Sequence, residues 1–152
     1  MNVYLVRHGD AVSANENSLL PLSQKGRQSI ERTARLALDR NIQVSIIYHS
    51  GILRAQESAE IFSELLAPSL GLEEHSGLLP EDDPAIVKAE LEVAEYSILL
   101  ISHLPYLNRL AALLVTGDPD RRVADFLPAT MVCCSRVNGP WKIDCVLAGP
   151  ES

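Results

Sequence analysis

MNVYLVRHGD, residues Met1 to Asp10, is the stretch on which the fold turns. Residues 3–6 are apolar or β-favouring and run, with no intervening turn, into Arg7, His8 and Gly9. A continuous apolar run of this kind fits a central strand of a parallel sheet, covered on both faces, rather than a half-solvated strand that would alternate. In an open parallel sheet ligands bind in the crevice outside the carboxyl ends of the strands. Two cationic side chains at the end of such a strand therefore mark where core gives way to crevice.

The same pattern recurs downstream. Apolar runs at 44–48 and 96–101 repeat the first, and strand-like runs at 131–137 and 141–147, separated by Asn138-Gly139-Pro140, read as a hairpin. Helical stripes lie between them. Ser23 is a candidate N-cap for a helix whose Ile30, Ala34, Ala37 and Leu38 share a face. Ile52, Ala55, Ala59, Phe62 and Leu66 form a second stripe, ended by Pro68 and Gly71. A third segment begins near Asp83-Pro84 with Ile86, Val87, Leu91 and Ala94, and a fourth begins near Pro105 with Leu107, Leu110, Ala111 and Leu114 inward. Strand-helix alternation predicts an α/β fold, a three-layer α/β/α arrangement with a mainly parallel central sheet.

The chain's 152 residues suit one domain with a real core. No apolar run approaches the roughly 20 residues of a membrane span, and no export-type leader precedes the first strand, so a soluble, cytoplasmic protein with no membrane partner is expected. The three cysteines, Cys133, Cys134 and Cys145, have neither CxxC nor metal-ligand spacing and read as reduced structural residues. A net charge of −7 argues against a nucleic-acid partner, which would need a clustered basic face.

Three buried strands stop in polar clusters: Arg7-His8-Gly9, then His49-Ser50-Gly51 with Arg54 close behind, then Ser102-His103. Arginines offer planar, bidentate donors matched to phosphate or carboxylate oxygens, and a neutral histidine can attack phosphorus without prior deprotonation. Gly9 removes a side chain where a ligand would approach, and Arg7 is costly to bury without an anion. Arg54 falls in the first turn of a helix, where the dipole disfavours cations, which favours a ligand contact over a surface pairing with Glu57 or Ser58. The helix after His103 would turn its first amides to the same crevice. His49 and His75 default to satisfied structural residues.

These residues resemble the histidine phosphatase superfamily, the phosphoglycerate-mutase-like enzymes. The resemblance rests on Arg7-His8-Gly9, Leu22-Ser23-Gln24-Lys25-Gly26, Ser50-Gly-Ile-Leu-Arg54 and Ser102-His103-Leu104-Pro105, in order across roughly residues 1–116. Arg7 to Ala11 and Ile101 to Pro105 are similar to the small SixA-type phosphohistidine phosphatases, which lack the helical insertion that roofs larger relatives. The resemblance implies a phosphoglycerate mutase-like fold and one histidine phosphatase domain over 1–152 without a lid. It implies a phosphatase acting on protein phosphohistidine through a covalent phosphohistidine at His8. Arg7 and Arg54 would hold the phosphoryl oxygens and His103 would complete the catalytic cradle. No metal and no cofactor are implied, since the cationic side chains supply the charge neutralisation that a divalent ion gives elsewhere.

Two departures narrow the inference. Mutase-type relatives carry an asparagine where this chain has Ala14, leaving the adjacent Asn15, with Ser50, as substrate-binding candidates; Gly51 stands where many relatives have proline. The general acid is to be sought among Glu81, Asp82 and Asp83, which could equally be a solvated helix start. The partner implied is a phosphorylated protein, such as a histidine-containing phosphotransfer domain. Small phosphate esters or aryl and tyrosine phosphates are the alternative substrates, and a non-catalytic phosphate-recognition module is the alternative to an enzyme.

Overall fold

Val3 and Leu5 pack into one apolar cluster and Tyr4 and Val6 into another, so the first strand is apolar from Val3 to Val6 because it separates two cores. The computed structural model describes residues 1–148. Its elements are β1 (Asn2–Arg7), α1 (Gln24–Asp39), β2 (Ile46–His49), α2 (Leu53–Leu66), β3 (Leu72–Glu74), α3 (Pro84–Val93), β4 (Ile98–Ser102), α4 (Tyr106–Thr116), β5 (Met131–Ser135) and β6 (Lys142–Leu147). The strands form one sheet in the order β3-β2-β4-β1-β5-β6. The first three pairings, β3 to β2, β2 to β4 and β4 to β1, are parallel; β5 and β6 join antiparallel as a hairpin.

Residues alternate sides along β4 as they do along β1. Ile98 and Leu100 face the cluster covered by α3 and α4, Leu99 and Ile101 the cluster covered by α1 and α2. The result is the expected three-layer α/β/α sandwich. Cys133 and Cys134 likewise fall into opposite clusters, and all three cysteines are free thiols.

The differences from the sequence reading have simple causes. Edge strand β3 was not foreseen because it is three residues long and only Leu72 is apolar; Glu73 and Glu74 face solvent. Leu38 and Ile86 point outward, at 45% and 59% exposed, since each sits about 100° round its helix from a buried neighbour, Ala37 and Val87. Strand β5 stops at Ser135, leaving Val137 in the exposed turn.

The start of α1 explains a motif. Ser23 caps the helix by accepting from the Gly26 amide at 2.9 Å, and its own amide donates to Asp10 O at 2.9 Å. A Cβ on Gly26 would fall 2.0 Å from Asp10 O, and one on Gly9 2.8 Å from Gly26 O and 2.9 Å from Ile30 Cγ1. Gly9 thus clears space for α1, which corrects the expectation that it clears space for a ligand. Gly26→Ala gains about 1 kcal/mol of helix propensity but incurs the upper range of overpacking cost, about 3 kcal/mol. A net loss of about 2 kcal/mol is expected in urea unfolding; an unchanged midpoint would show that the loop yields freely.

Candidate active site

Arg7 pairs in register with Ser102, so His8 and His103 are each the first residue beyond adjacent parallel strands. Their rings lie 4.8 Å apart between centroids and are tilted by 52°. The His8 amide donates to Ser102 O at 3.2 Å, which locks the two strand ends together. His8 Nδ1–H donates to Gly9 O at 2.7 Å, and Arg54 Nε donates to His8 Nε2 at 3.3 Å. The two contacts agree on the tautomer: Nδ1 carries the proton and Nε2 presents its lone pair.

Arg54 stands in the first turn of α2, as expected. Arg7 is anchored by a bond from Nη1 to Phe126 O at 2.8 Å, while its Nε is buried with no protein partner. His103 is 2% exposed; its Nε2 meets Ser50 Oγ at 2.7 Å and its Nδ1 is buried and unpartnered. Among the described residues these two nitrogens have no partner, which leaves both open to an oxygen acceptor.

Burial is the main reason both imidazoles stay neutral. His8 is pulled down to about 4 by burial, aided by Arg54 and Arg7 and opposed by the Gly9 carbonyl and Asp10. His103 is pulled down to about 3 by burial, then by His8, Arg54 and Arg7. Burial also lowers Arg7, which nonetheless remains a guanidinium. At neutral pH the positive charge of the cluster is therefore carried by the two arginines.

A titration follows. In the ligand-free protein, ¹⁵N NMR should find His8 as the neutral Nδ1–H tautomer at neutral pH, with a midpoint of about 4, and inorganic phosphate should raise it. An unfolded imidazole titrates near 6.5. The unfolded chain thus binds more protons between about 6.5 and about 4, so this contribution to stability is complete above the window and declines as pH falls through it. A His8 midpoint near 6.5 would contradict the buried neutral ring.

Several positioning groups were not legible in sequence. Ser58 is wholly buried; its Oγ accepts from the Gly9 amide at 3.1 Å and donates to Arg54 O at 2.8 Å, tying α2 to the loop after His8. Its signal was a lone hydroxyl on the apolar face between Ala55 and Phe62. Residues 126–130 clamp the end of β1: the Ala129 amide donates to Arg7 O and His8 O, the Arg7 amide to Thr130 O, and Thr33 Oγ1 to Ala129 O at 2.8 Å. No residue pattern announces such main-chain contacts.

The remaining candidates separate. Ser50 contacts His103, and Asn15 is exposed in the turn that follows β1. His49 is buried, accepting from the Gly51 amide at 3.0 Å, and His75 pairs with Glu90, so both are structurally satisfied. Gly51 has φ +89, which proline cannot adopt. Asp83 caps α3 through the Ala85 amide and Asp82 takes the Leu79 amide, the helix-start alternative for those two, while Glu81 is exposed. The Leu107 amide of α4 is spent on His103 O, so it is not among the donors facing an anion. Among the described residues no group of three or more His, Cys, Asp or Glu side chains is arranged to hold a metal ion, and no helix is long and apolar enough to cross a membrane.

Two neutral imidazoles and two guanidiniums at the carboxyl edge of an α/β/α sheet suit a phosphoryl group as ligand. The family model of the histidine phosphatase superfamily (branch 1) matches residues 3–79, and the chain belongs to that superfamily. It is 30% identical over 123 residues to the phosphohistidine phosphatase SixA of Escherichia coli (strain K12), covering 78% of this chain and 76% of that protein. The structure of the protein histidine phosphatase SixA complexed with tungstate superposes with a TM-score of 0.84 at 26% identity, covering 97% of both chains. A mycobacterial glucosyl-3-phosphoglycerate phosphatase shares the fold, with a TM-score of 0.72 at 14% identity over 94% of this chain and 96% of that one. The fold is phosphoglycerate mutase-like, and the chain is a phosphatase of this superfamily.

Proposed function

We propose that the chain is a metal-independent phosphatase that hydrolyses phosphohistidine on a protein through a covalent phosphohistidine at His8. The observation that carries this is the His8 tautomer: a neutral Nε2 lone pair met by the Arg54 guanidinium, with Nδ1–H fixed on Gly9 O and Arg7 close enough to lower the ring's pKa. When a phosphoryl group enters, Arg54 moves its donors from Nε2 to the phosphoryl oxygens, and Arg7 and the unpaired His103 Nδ1 edge complete the cradle. Nε2 then bonds to phosphorus as the bond to the substrate nitrogen breaks, and the departing imidazole takes up a proton. Water attacks the phosphorylated His8 in a second in-line step, releasing phosphate and restoring the lone pair.

Phosphohistidine as substrate is supported by the relative that bears that name and by the carboxylates. Asp82 and Asp83 are held by backbone amides, leaving Glu81 the freest of the three acid candidates. A phosphoramidate leaves easily once protonated and tolerates a weakly placed acid, whereas an alkyl phosphate needs a strong one. Residues 54–96 are taken up by α2, β3 and α3. We read the chain as one lidless domain over 1–152, suited to a cytoplasmic phosphoprotein such as a histidine-containing phosphotransfer domain, with Asn15 and Ser50 as substrate-binding candidates. Turnover of a phosphohistidine protein, sugar phosphates and aryl phosphates should be compared at equal concentration with chelator present. The phosphohistidine protein should be turned over fastest; faster turnover of the esters, or loss of activity with chelator, would overturn this reading, and tight binding without release of phosphate would make the chain a recognition module.

A further inference from the structure

On the face covered by α3 and α4, the flank of the sheet at β2 stays partly uncovered and a cavity of about 390 Å³ opens there. Its floor is apolar, formed by Leu91, Ile98 and Leu100, all at most 3% exposed. Its walls are aromatic and anionic. Tyr48 stacks on His75 with centroids 4.2 Å apart, Tyr96 is 40% exposed, and Glu90 and Glu95 line the space while no lysine or arginine does. Helix α3 ends here, at Val93 with Ala94 as its C-cap, so the negative end of its dipole adds to the carboxylates.

We propose that this cavity is a binding site for an organic cation, an ammonium or guanidinium carried on an apolar stem. Each wall contributes to that preference: the exposed Tyr96 ring through cation-π attraction, the carboxylates and helix end through charge, and the floor through burial of the stem. The volume falls in the lower range of small-ligand pockets, about 300 to 1,000 Å³, and is far larger than a metal ion needs. Burial, the neighbouring Tyr96 hydroxyl and the Glu73 and Glu90 carboxylates push Tyr48 up to about 12. Among the described residues Glu95 makes no ion pair, and Glu90 meets His75 at 2.7 Å, a contact that an incoming cation can share. The cavity is separate from the phosphoryl crevice and takes the opposite charge of ligand, so the proposal does not depend on which phosphate the enzyme hydrolyses.

The test uses the full chain and two probes, 4-phenylbutylamine and its neutral counterpart 4-phenylbutan-1-ol, followed by NMR. The amine should shift Tyr48, His75 and Tyr96 and bind at least about tenfold more tightly than the alcohol. Glu90→Gln combined with Glu95→Gln should lower amine affinity about tenfold and leave phosphatase turnover unchanged, and Tyr96→Ala should weaken the amine more than the alcohol and so narrow the preference between them. Agmatine set against an arginine inside a blocked tripeptide then tells a free amine from a protein side chain as the source. Equal affinity for amine and alcohol, amine shifts confined to His8 and His103, or undiminished binding in the double variant would overturn the proposal.

Discussion

His8→Ala should lower turnover of every substrate by roughly 10⁵-fold, because it removes the atom that bonds to phosphorus and leaves only the binding residues to act. The same change should abolish the labelled enzyme intermediate trapped by rapid acid-free quenching, and that label in the parent protein should be acid-labile, as a nitrogen-phosphorus bond is. Fold stability should survive, since a neutral, half-buried ring is being removed from a crevice and not from either core. Full activity in His8→Ala, or an acid-stable label on a hydroxyl residue, would exclude the nucleophile assigned above.

Arg54→Ala should cost about 10³-fold, the scale of losing a preorganised guanidinium from a phosphoryl-transfer site. Arg54→Lys should recover only part of this, because an ammonium keeps the charge but not the planar fork. A second readout separates a direct role from a merely structural one. Arg54 is among the groups that hold the His8 pKa down, so its removal should raise the His8 midpoint. The start of α2 should remain intact, because Ser58 bonds the Arg54 carbonyl and not its side chain. Loss of activity with an unmoved His8 midpoint would mean that the guanidinium does not face the ring.

Much of this architecture could be read from residue order alone. Strands β1, β2 and β4 announce themselves because burial on both faces makes each apolar from end to end, and chain order then forces their carboxyl ends, with Arg7, His8, Arg54 and His103, to one edge. What escaped was of two kinds. Strand β3 is held by main-chain pairing with β2 and needs no apolar pattern, so none was written. Gly9 was misread because a glycine beside a site can clear space on either side of the backbone, and only the position of Gly26 and Ile30 tells which.

The contacts that aim His8 and Arg7 are made largely by the main chain: the carbonyls of Gly9 and Phe126, the amide of His8 on Ser102 O, the amide of Ala129 on Arg7 O. A carbonyl is the same whichever side chain its residue carries. Substitution at the exposed Leu127 and its neighbours can therefore change the surface beside Arg7 without turning His8, provided the backbone path is kept. Chemistry and recognition are in this way free to diverge at different rates, and descendants of such a chain can change clients while retaining one reaction.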